Sequence, residues 1–448
     1  MLLKELCFSV LLFTCITVSN AQNNDAARAQ HQLLNMPADP LAGTKKFNPD
    51  PLAAWFPKAG LGLFIHWGAI STYGGGDISW CMLANKSWPD DGTVTPNFYY
   101  SLMDKWNPQK YNPDEIIKQA KNAGFEYAVL TTKHHDGYTL WPSKYGDLGT
   151  QTKLNGRDFV KPFIEACRKY GLKVGLYYSP PDWWFDRKYR SWSYSGSLLD
   201  MNHQPIASLP QKPADHDIKR KEMVANQVRE LLTNYGKIDL LWFDGGTGEI
   251  SNDEVRKLQP GIVLNRRNNG AGDYGDSEGK LPENRFNGWF ETCDPIWPTR
   301  WWSFSTNDTY DEASTVITNL IKLRAWGGNY LANLAPDGDG AVPQPALTAM
   351  NEMAIWMKHS KESVADVEGG NYPEVSNVPV TVKNNILYAF ALPGYQGTMK
   401  IGTSSTPKKV VLLRTGKSLQ FKKDGNHLYV EIPPKDRTRM PDALKIIF

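Results

Sequence analysis

Short apolar runs, each closed by a polar residue, recur between helical stretches along most of this chain, and that alternation limits its fold more than any other feature. The clearest run is Leu240-Leu241-Trp242-Phe243-Asp244-Gly245-Gly246. It reads as a buried strand of a parallel sheet. The two glycines end the strand and turn the chain beside the acid. Comparable runs are 62–68, 126–133, 172–179, 262–265, 289–292 and 329–334. Helical patterns separate them at 113–123, 159–170, 216–235, 315–326 and 345–360. Asp114 and Glu115 sit in the first turn of one of these, where they complement the helix dipole. Such βαβα alternation predicts a parallel sheet with right-handed crossovers. The fold class is therefore α/β, a TIM-like (β/α)8 barrel over 50–362. An open doubly wound sheet is the alternative, but the chain has no GxxxxGK[ST]. From about residue 365 the pattern changes to short strands separated by turns (380–382, 386–388, 397–401, 409–413, 428–432 and 444–447). This predicts a C-terminal antiparallel β-sandwich over 365–448.

The N-terminus reads as a secretory signal peptide over 1–21. Lys4 precedes an apolar stretch from Cys7 to Val18, and Ser19-Asn20-Ala21 offers small residues for cleavage after Ala21. A secreted or periplasmic protein is expected, with residues 22–49 as a polar linker. No later run is apolar and long enough to span a membrane. A net charge of +3 over 448 residues gives no reason to expect nucleic acid as a partner. Three cysteines remain after the signal, Cys81, Cys167 and Cys293, without metal-ligand spacing and too few for a disulfide scaffold. Asp337-Gly338-Asp339-Gly340 reads as a tight turn rather than a calcium loop.

In a parallel barrel, chemistry gathers at the C-terminal ends of the strands. Polar residues stand there repeatedly: His66, His134, His135, Tyr178, Asp244, Arg267 and Glu291. Histidine and aspartate are good metal ligands, but adjacent strand residues point to opposite faces, and no HxH or HExxH occurs. Hydrogen bonding to sugar hydroxyls is the stronger reading. The 16 tryptophans suit it, because flat apolar rings cover the C–H faces of sugars. No metal and no cofactor is expected. The polar segment between Pro180 and Pro213 carries Trp183, Trp184, Trp192 and Tyr194, and reads as a loop over the site.

These motifs together resemble the α-L-fucosidases of glycoside hydrolase family 29. The resemblance rests on Gly62-Leu63-Phe64-Ile65-His66-Trp67-Gly68, Thr132-Lys133-His134-His135-Asp136-Gly137, Gly175-Leu176-Tyr177-Tyr178-Ser179 and the run ending in Asp244. Trp289-Phe290-Glu291-Thr292-Cys293 and Gly328-Asn329-Tyr330-Leu331-Ala332-Asn333-Leu334 complete it, in order over 50–360. It implies a catalytic barrel followed by a β-sandwich, and a retaining exo-glycosidase acting on fucosylated glycans. Asp244 matches the nucleophile. His66, His134, His135, Tyr178 and Trp80 match sugar contacts. Arg267, in Asn265-Arg266-Arg267, matches the family's Asn-x-Arg, with Arg266 one frame away. Phe64 and Trp242 are expected to line the apolar wall for the methyl group of fucose. The acid/base matches Glu278, in a loop of pattern Gly272-Asp273-Tyr274-Gly275-Asp276-Ser277-Glu278. Glu283 and Glu249 are alternatives, and Glu291 is expected to orient its neighbours or touch substrate.

Two departures bear on specificity. Family members usually carry Glu-Trp where this chain has Ser79-Trp80, and Thr-Pro where it has Asp276-Ser277. The alternative functions are a related α-glycosidase with a galactoside-like glycone, a catalytically impaired carbohydrate-binding protein, and a metal-dependent hydrolase.

Overall fold

The computed structural model describes residues 48–86 and 94–448. The expected signal peptide and nearly all of the expected linker lie outside the described residues. Eight parallel strands form one curled sheet: β1 (Leu61–Ile65), β2 (Tyr127–Lys133), β3 (Lys173–Tyr178), β4 (Leu240–Phe243), β5 (Val263–Leu264), β6 (Gly275–Glu278), β7 (Phe290–Trp297) and β8 (Asn329–Leu334). The order β5-β4-β3-β2-β1-β8-β7-β6 puts β1 between β2 and β8. The seam between β5 and β6 is closed by a single parallel bridge, Asn265 to Tyr274. Every residue of β1, β2, β4 and β8 is buried, as expected for strands covered on both faces.

The helices of seven residues or more are α1 (Pro96–Leu102), α2 (Pro113–Asn122), α3 (Val160–Tyr170), α4 (His216–Thr233), α5 (Asn252–Leu258), α6 (Ala313–Ala325) and α7 (Gln344–Ser360). Local sequence explains α2 well. Asn112 accepts from the Glu115 amide, Pro113 opens the helix, and Ile116, Ile117 and Ala120 form its buried stripe. The sequence reading expected neither α1 nor α5, each of seven residues and too short for a periodic signal.

β6 was also unexpected, since 272–278 read as a loop. Gly-Asp-Ser-Glu carries no apolar residue to announce a strand. It is a strand because β7 provides its ladder, Asp276 beside Glu291 and Glu278 beside Cys293.

Inside the barrel, Gly62 lets a large ring from the next strand enter. A Cβ there would lie 2.1 Å from the Tyr127 ring. Tyr127 reaches across to Glu291 Oε2 at 2.5 Å, and Trp242 Nε1 and the Tyr274 hydroxyl donate to Glu291 Oε1 at 3.0 and 3.2 Å. This polar knot plugs the barrel.

After α7 come β9 (Glu368–Gly369), β10 (Val380–Lys383), β11 (Ile386–Ala391), β12 (Met399–Gly402), β13 (Lys409–Leu412), β14 (Lys417–Ser418), β15 (Phe421–Asp424), β16 (His427–Val430) and β17 (Asp442–Ile447). They form antiparallel sheets of six strands (β14-β13-β17-β11-β10-β9) and three (β12-β16-β15) around a shared core including Val380, Ile401, Leu428 and Leu444. The sequence reading foresaw six of these strands. It missed β9, β14 and β15, which are short or polar. Tyr388 and Phe390 pack into the barrel's core cluster, and Trp356 Nε1 of α7 donates to the Pro441 carbonyl at 2.7 Å.

Candidate active site

The C-terminal ends of the barrel strands surround a pocket of about 340 Å³. Strand alternation selects what faces it. Phe64 comes from β1 and His66 from the residue that follows it, Trp242 from β4 and Asp244 from the residue that follows it, and Cys293 from β7. Asp77, Trp80 and Trp302 enter from the loops.

Arg267 organises the charges. Its guanidinium donates to Asp244 Oδ1 at 3.1 Å, Asp276 Oδ2 at 2.8 Å and Glu278 Oε2 at 2.7 Å. Its frame neighbour Arg266 turns to Asp276 Oδ1 at 2.8 Å, so Arg267 is the arginine of the pocket. Asp244 Oδ2 accepts from the Tyr177 hydroxyl at 2.7 Å and lies 3.4 Å from His135 Nε2. Burial opposes ionisation of Asp244, yet His135, Arg267 and the Tyr177 hydrogen bond together hold its carboxyl below the ordinary range. Glu278 moves the other way. Burial raises it, Arg267 opposes, and the nearby Asp244 charge raises it further, for a net upward shift. Two carboxyl groups on one guanidinium are thus driven apart in acidity, the pattern of an acid paired with an ionised base. The Glu278 side chain is 25% exposed against 7% for Asp244, placing Glu278 nearer solvent.

The alternative acids stand elsewhere. Glu249 is bound by Thr247 and Arg220, and the Glu283 side chain is 70% exposed beside Lys280. Neither lines the pocket.

His66 and His134 line the pocket, and His135 backs it against Asp244. Burial pulls His66 down to about 3 and His135 to about 4, and lowers His134 as well, so all three are neutral imidazoles near pH 7. His135 Nδ1 is bound to Ser179 Oγ at 2.5 Å, and its Nε2 has no hydrogen-bond partner among the described residues. A buried, unpartnered ring nitrogen beside Asp244 suits a ligand hydroxyl. Trp183, from the loop after β3, stacks on His135 and meets Trp80 edge to face.

Two expected substrate contacts are displaced. Tyr178 points out of the barrel, where its hydroxyl donates to Gln227 of α4 at 2.7 Å. The pocket tyrosine is Tyr177. The sequence held the clue: the pocket-facing pairs Phe64/His66 and Trp242/Asp244 are two apart, and the corresponding pair on β3 is Tyr177/Ser179. Tyr177 is also in register with Trp242. Glu291 is the second correction. It is fully buried in the knot with Tyr127, Trp242 and Tyr274 and does not line the pocket. Burial pushes it up to about 7 against its three hydrogen bonds. Asp77, Trp302 and Cys293 line the pocket without having been foreseen. The first two are brought in by loops, which leave no periodic signal.

Ser79, at the position of the family's usual Glu, is buried and turned away from the pocket, bonded to His134 Nδ1 and the Asp136 amide. For a metal, His134, His135 and Asp244 offer one ligand atom each within 4.8 Å of one another. They fit a cation poorly. Asp244 already accepts from Arg267 and Tyr177, so a metal would sit against a guanidinium. No helix among the described residues is long and apolar enough to cross a membrane.

Comparison with known proteins gives a consistent result. The family model described as alpha-L-fucosidase matches residues 30–362. The tissue alpha-L-fucosidase of Bos taurus is 28% identical, aligning 87% of this chain with 86% of its own, and that of Homo sapiens is 25% identical, aligning 89% with 90%. Among solved structures, alpha-L-fucosidase isoenzyme 1 from Paenibacillus thiaminolyticus superposes with a TM-score of 0.76 at 28% identity, covering 89% of this chain and 98% of that one. A family 29 alpha-L-fucosidase from Bacteroides thetaiotaomicron, solved as a trapped covalent intermediate with 2-fluoro-fucosyl fluoride, gives 0.75 at 25% identity, covering 90% and 98%.

Proposed function

The chain belongs to the alpha-L-fucosidase family of glycoside hydrolases, and from that premise we propose that it releases terminal α-L-fucosyl residues from glycans by a retaining, double-displacement route. The observation carrying this reading is that Asp244 and Glu278 share the guanidinium of Arg267 while their acidities are pushed in opposite directions. Holding both on one group keeps them close. That favours the ~5–5.5 Å separation of retaining carboxylates over the ~6.5–9.5 Å that leaves room for an attacking water.

In the first step the ionised Asp244 attacks the anomeric carbon while Glu278 gives its proton to the departing oxygen. The glycosyl–aspartate ester is then opened by a water that Glu278 deprotonates. The ester carbon–oxygen bond at the sugar breaks, Asp244 leaves as a carboxylate, and Glu278 is again protonated. The covalent intermediate trapped in the Bacteroides thetaiotaomicron relative supports this sequence. Arg267 sits over the face of Trp242, its carbon 4.5 Å from the ring centroid, which holds the guanidinium in place through both steps.

The glycone assignment is supported by an apolar wall. Phe64 lies 5.2 Å from Trp242 and 5.9 Å from Trp302, centroid to centroid. A methyl group suits that wall, whereas the hydroxymethyl of a galactoside would bring a hydroxyl to it without a partner. Closure of the barrel below by the Glu291 knot suits a single terminal ring, hence exo action.

The test is hydrolysis of an aryl α-L-fucoside, with the product anomer followed by NMR. Retention is expected, with Asp244→Ala reducing turnover at least ~10⁴-fold. The corresponding α-L-galactoside should react roughly 10²-fold less efficiently, the discrimination such a pocket can exert against an added hydroxyl. Fucose binding by the unmodified protein without turnover would instead indicate a binding protein.

A further inference from the structure

Resting on the reading of the pocket as a fucose site, we propose that Ser79 is a positioning residue that fixes the tautomer of His134 opposite to that of His66, so that the two imidazoles together read one glycone hydroxyl that both donates and accepts.

The hydrogen-bond network sets the two tautomers separately. Asn333 donates through Nδ2 to the Trp302 carbonyl at 3.0 Å, which turns Oδ1 toward His66. His66 Nδ1 lies 2.8 Å from that oxygen and must carry the proton. The neutral ring then presents a bare Nε2, an acceptor. At His134 the partner differs. Ser79 Oγ accepts from the Asp136 amide at 2.9 Å and lies 2.7 Å from His134 Nδ1. Ser79 is fully buried, so its own proton needs an acceptor, and His134 Nδ1 stands there. His134 therefore carries its proton on Nε2, a donor.

Packing holds both planes. His134 stacks on Tyr177 at 3° and 5.4 Å, and His66 lies against Phe64 at 4.3 Å and Trp302 at 4.9 Å. The two imidazole centroids are 6.0 Å apart. With each Nδ1 engaged by the protein, Nε2 is the free nitrogen of both rings in the pocket they line, and a hydroxyl that accepts one hydrogen bond and donates another joins nitrogens roughly 4.5–5 Å apart, a span within reach of two rings at this separation. Ser79 is where the family's usual Glu would place a carboxylate. In this chain the position acts through His134. Ser79 adopts a positive φ of 59°, and its side chain lies against His134 and the Asp136 amide.

Two measurements test this. Nitrogen-15 NMR of the histidine rings in the free, full-length protein should show His66 protonated on Nδ1 and His134 on Nε2. The same ring nitrogen protonated in both would overturn the proposal, whether or not the protein hydrolyses fucosides. The second measurement crosses Ser79→Ala with aryl α-L-fucosides lacking one ring hydroxyl at a time. On the complete substrate Ser79→Ala should lower kcat/KM about tenfold, a hydrogen bond's worth at about 1.4 kcal/mol. On the one analogue lacking the bridged hydroxyl that loss should vanish. An equal loss on every analogue would show general damage and refute the positioning role. No turnover of any fucoside by the unmodified protein would defeat the functional reading instead, leaving the tautomer measurement to decide on the histidines.

Discussion

Replacing Tyr177 by Phe removes one hydroxyl, and that hydroxyl is the 2.7 Å donor to Asp244 Oδ2. A hydrogen bond to a charged group is worth about 1.5–3 kcal/mol. Each pKa unit corresponds to about 1.36 kcal/mol, so the Asp244 carboxyl should rise by about 1–2 units when the donor is lost. The sign follows from its present position. Asp244 sits below the ordinary carboxylate range, and Tyr177 is one of the groups holding it there. In the proposed mechanism Asp244 must be ionised, so the acid limb of kcat/KM, which reports the free enzyme, should move to higher pH by about 1–2 units. The alkaline limb, set by Glu278, should move much less. The assay is a pH series of initial rates on an aryl α-L-fucoside. Tyr178→Phe is the matched control. It removes the hydroxyl that donates to Gln227, outside the pocket, and should leave both limbs in place while lowering stability by about 0.5–1.5 kcal/mol. An unmoved acid limb in Tyr177→Phe, or an equal shift in Tyr178→Phe, would refute the assignment of Tyr177 to the nucleophile.

Glu278→Ala should slow the second half-reaction about 10²–10⁴-fold with an activated aryl leaving group, and added azide should restore turnover as a glycosyl azide. Rescue at Glu249 or Glu283 instead would locate the acid elsewhere. Glu291 gathers three buried donors, so Glu291→Ala should cost ~3 kcal/mol or more of stability, measured by denaturant unfolding. Because its folded pKa is raised from 4.5 to about 7, its contribution is complete below about 4.5 and fades as pH rises through about 7. Glu291→Gln should therefore flatten the pH dependence of stability across that window, and an unchanged profile would contradict the buried acid. Prolonged dialysis against a chelator should leave fucoside hydrolysis intact. A loss reversed by a divalent cation would revive His134, His135 and Asp244 as ligands.

Legibility in the sequence followed the physics of each element. Strands buried on both faces announced themselves as apolar runs, so β1, β2, β3, β4 and β8 could be read with little ambiguity, and with them the positions of His66, His134 and Asp244. β6 could not be read, because its four residues are held by β7 and by two arginines rather than by burial of their own side chains. The Tyr177/Tyr178 error has a similar origin. Both residues are aromatic and fully buried, and only registration with β4 tells the inner face from the outer. Residues arriving from loops, Asp77 and Trp302, are placed by tertiary contacts such as the Trp302 amide on Asp77 Oδ1 at 3.1 Å.

The Asp276-Ser277 departure finds a physical role at the charge centre. Three carboxyl groups, Asp244, Asp276 and Glu278, face two guanidinium groups, Arg266 and Arg267. With all three ionised the group would carry one uncompensated negative charge in a buried setting, which favours retention of one proton. Asp276 takes a guanidinium contact on each oxygen, and Asp244 is held low, so the proton falls to Glu278. Asp276 thus helps keep Glu278 protonated while lying two residues deeper on β6. Asp276→Asn removes a charge that raises Glu278 and releases Arg267 to stabilise the Glu278 carboxylate, so both effects lower the Glu278 pKa. The alkaline limb of the kcat/KM profile should then move to lower pH by about one unit, with the acid limb changed much less. An alkaline limb that stays in place, or moves upward, would mean that Glu278 owes its proton to burial and to the Asp244 charge, and that Asp276 serves only the β5–β6 seam.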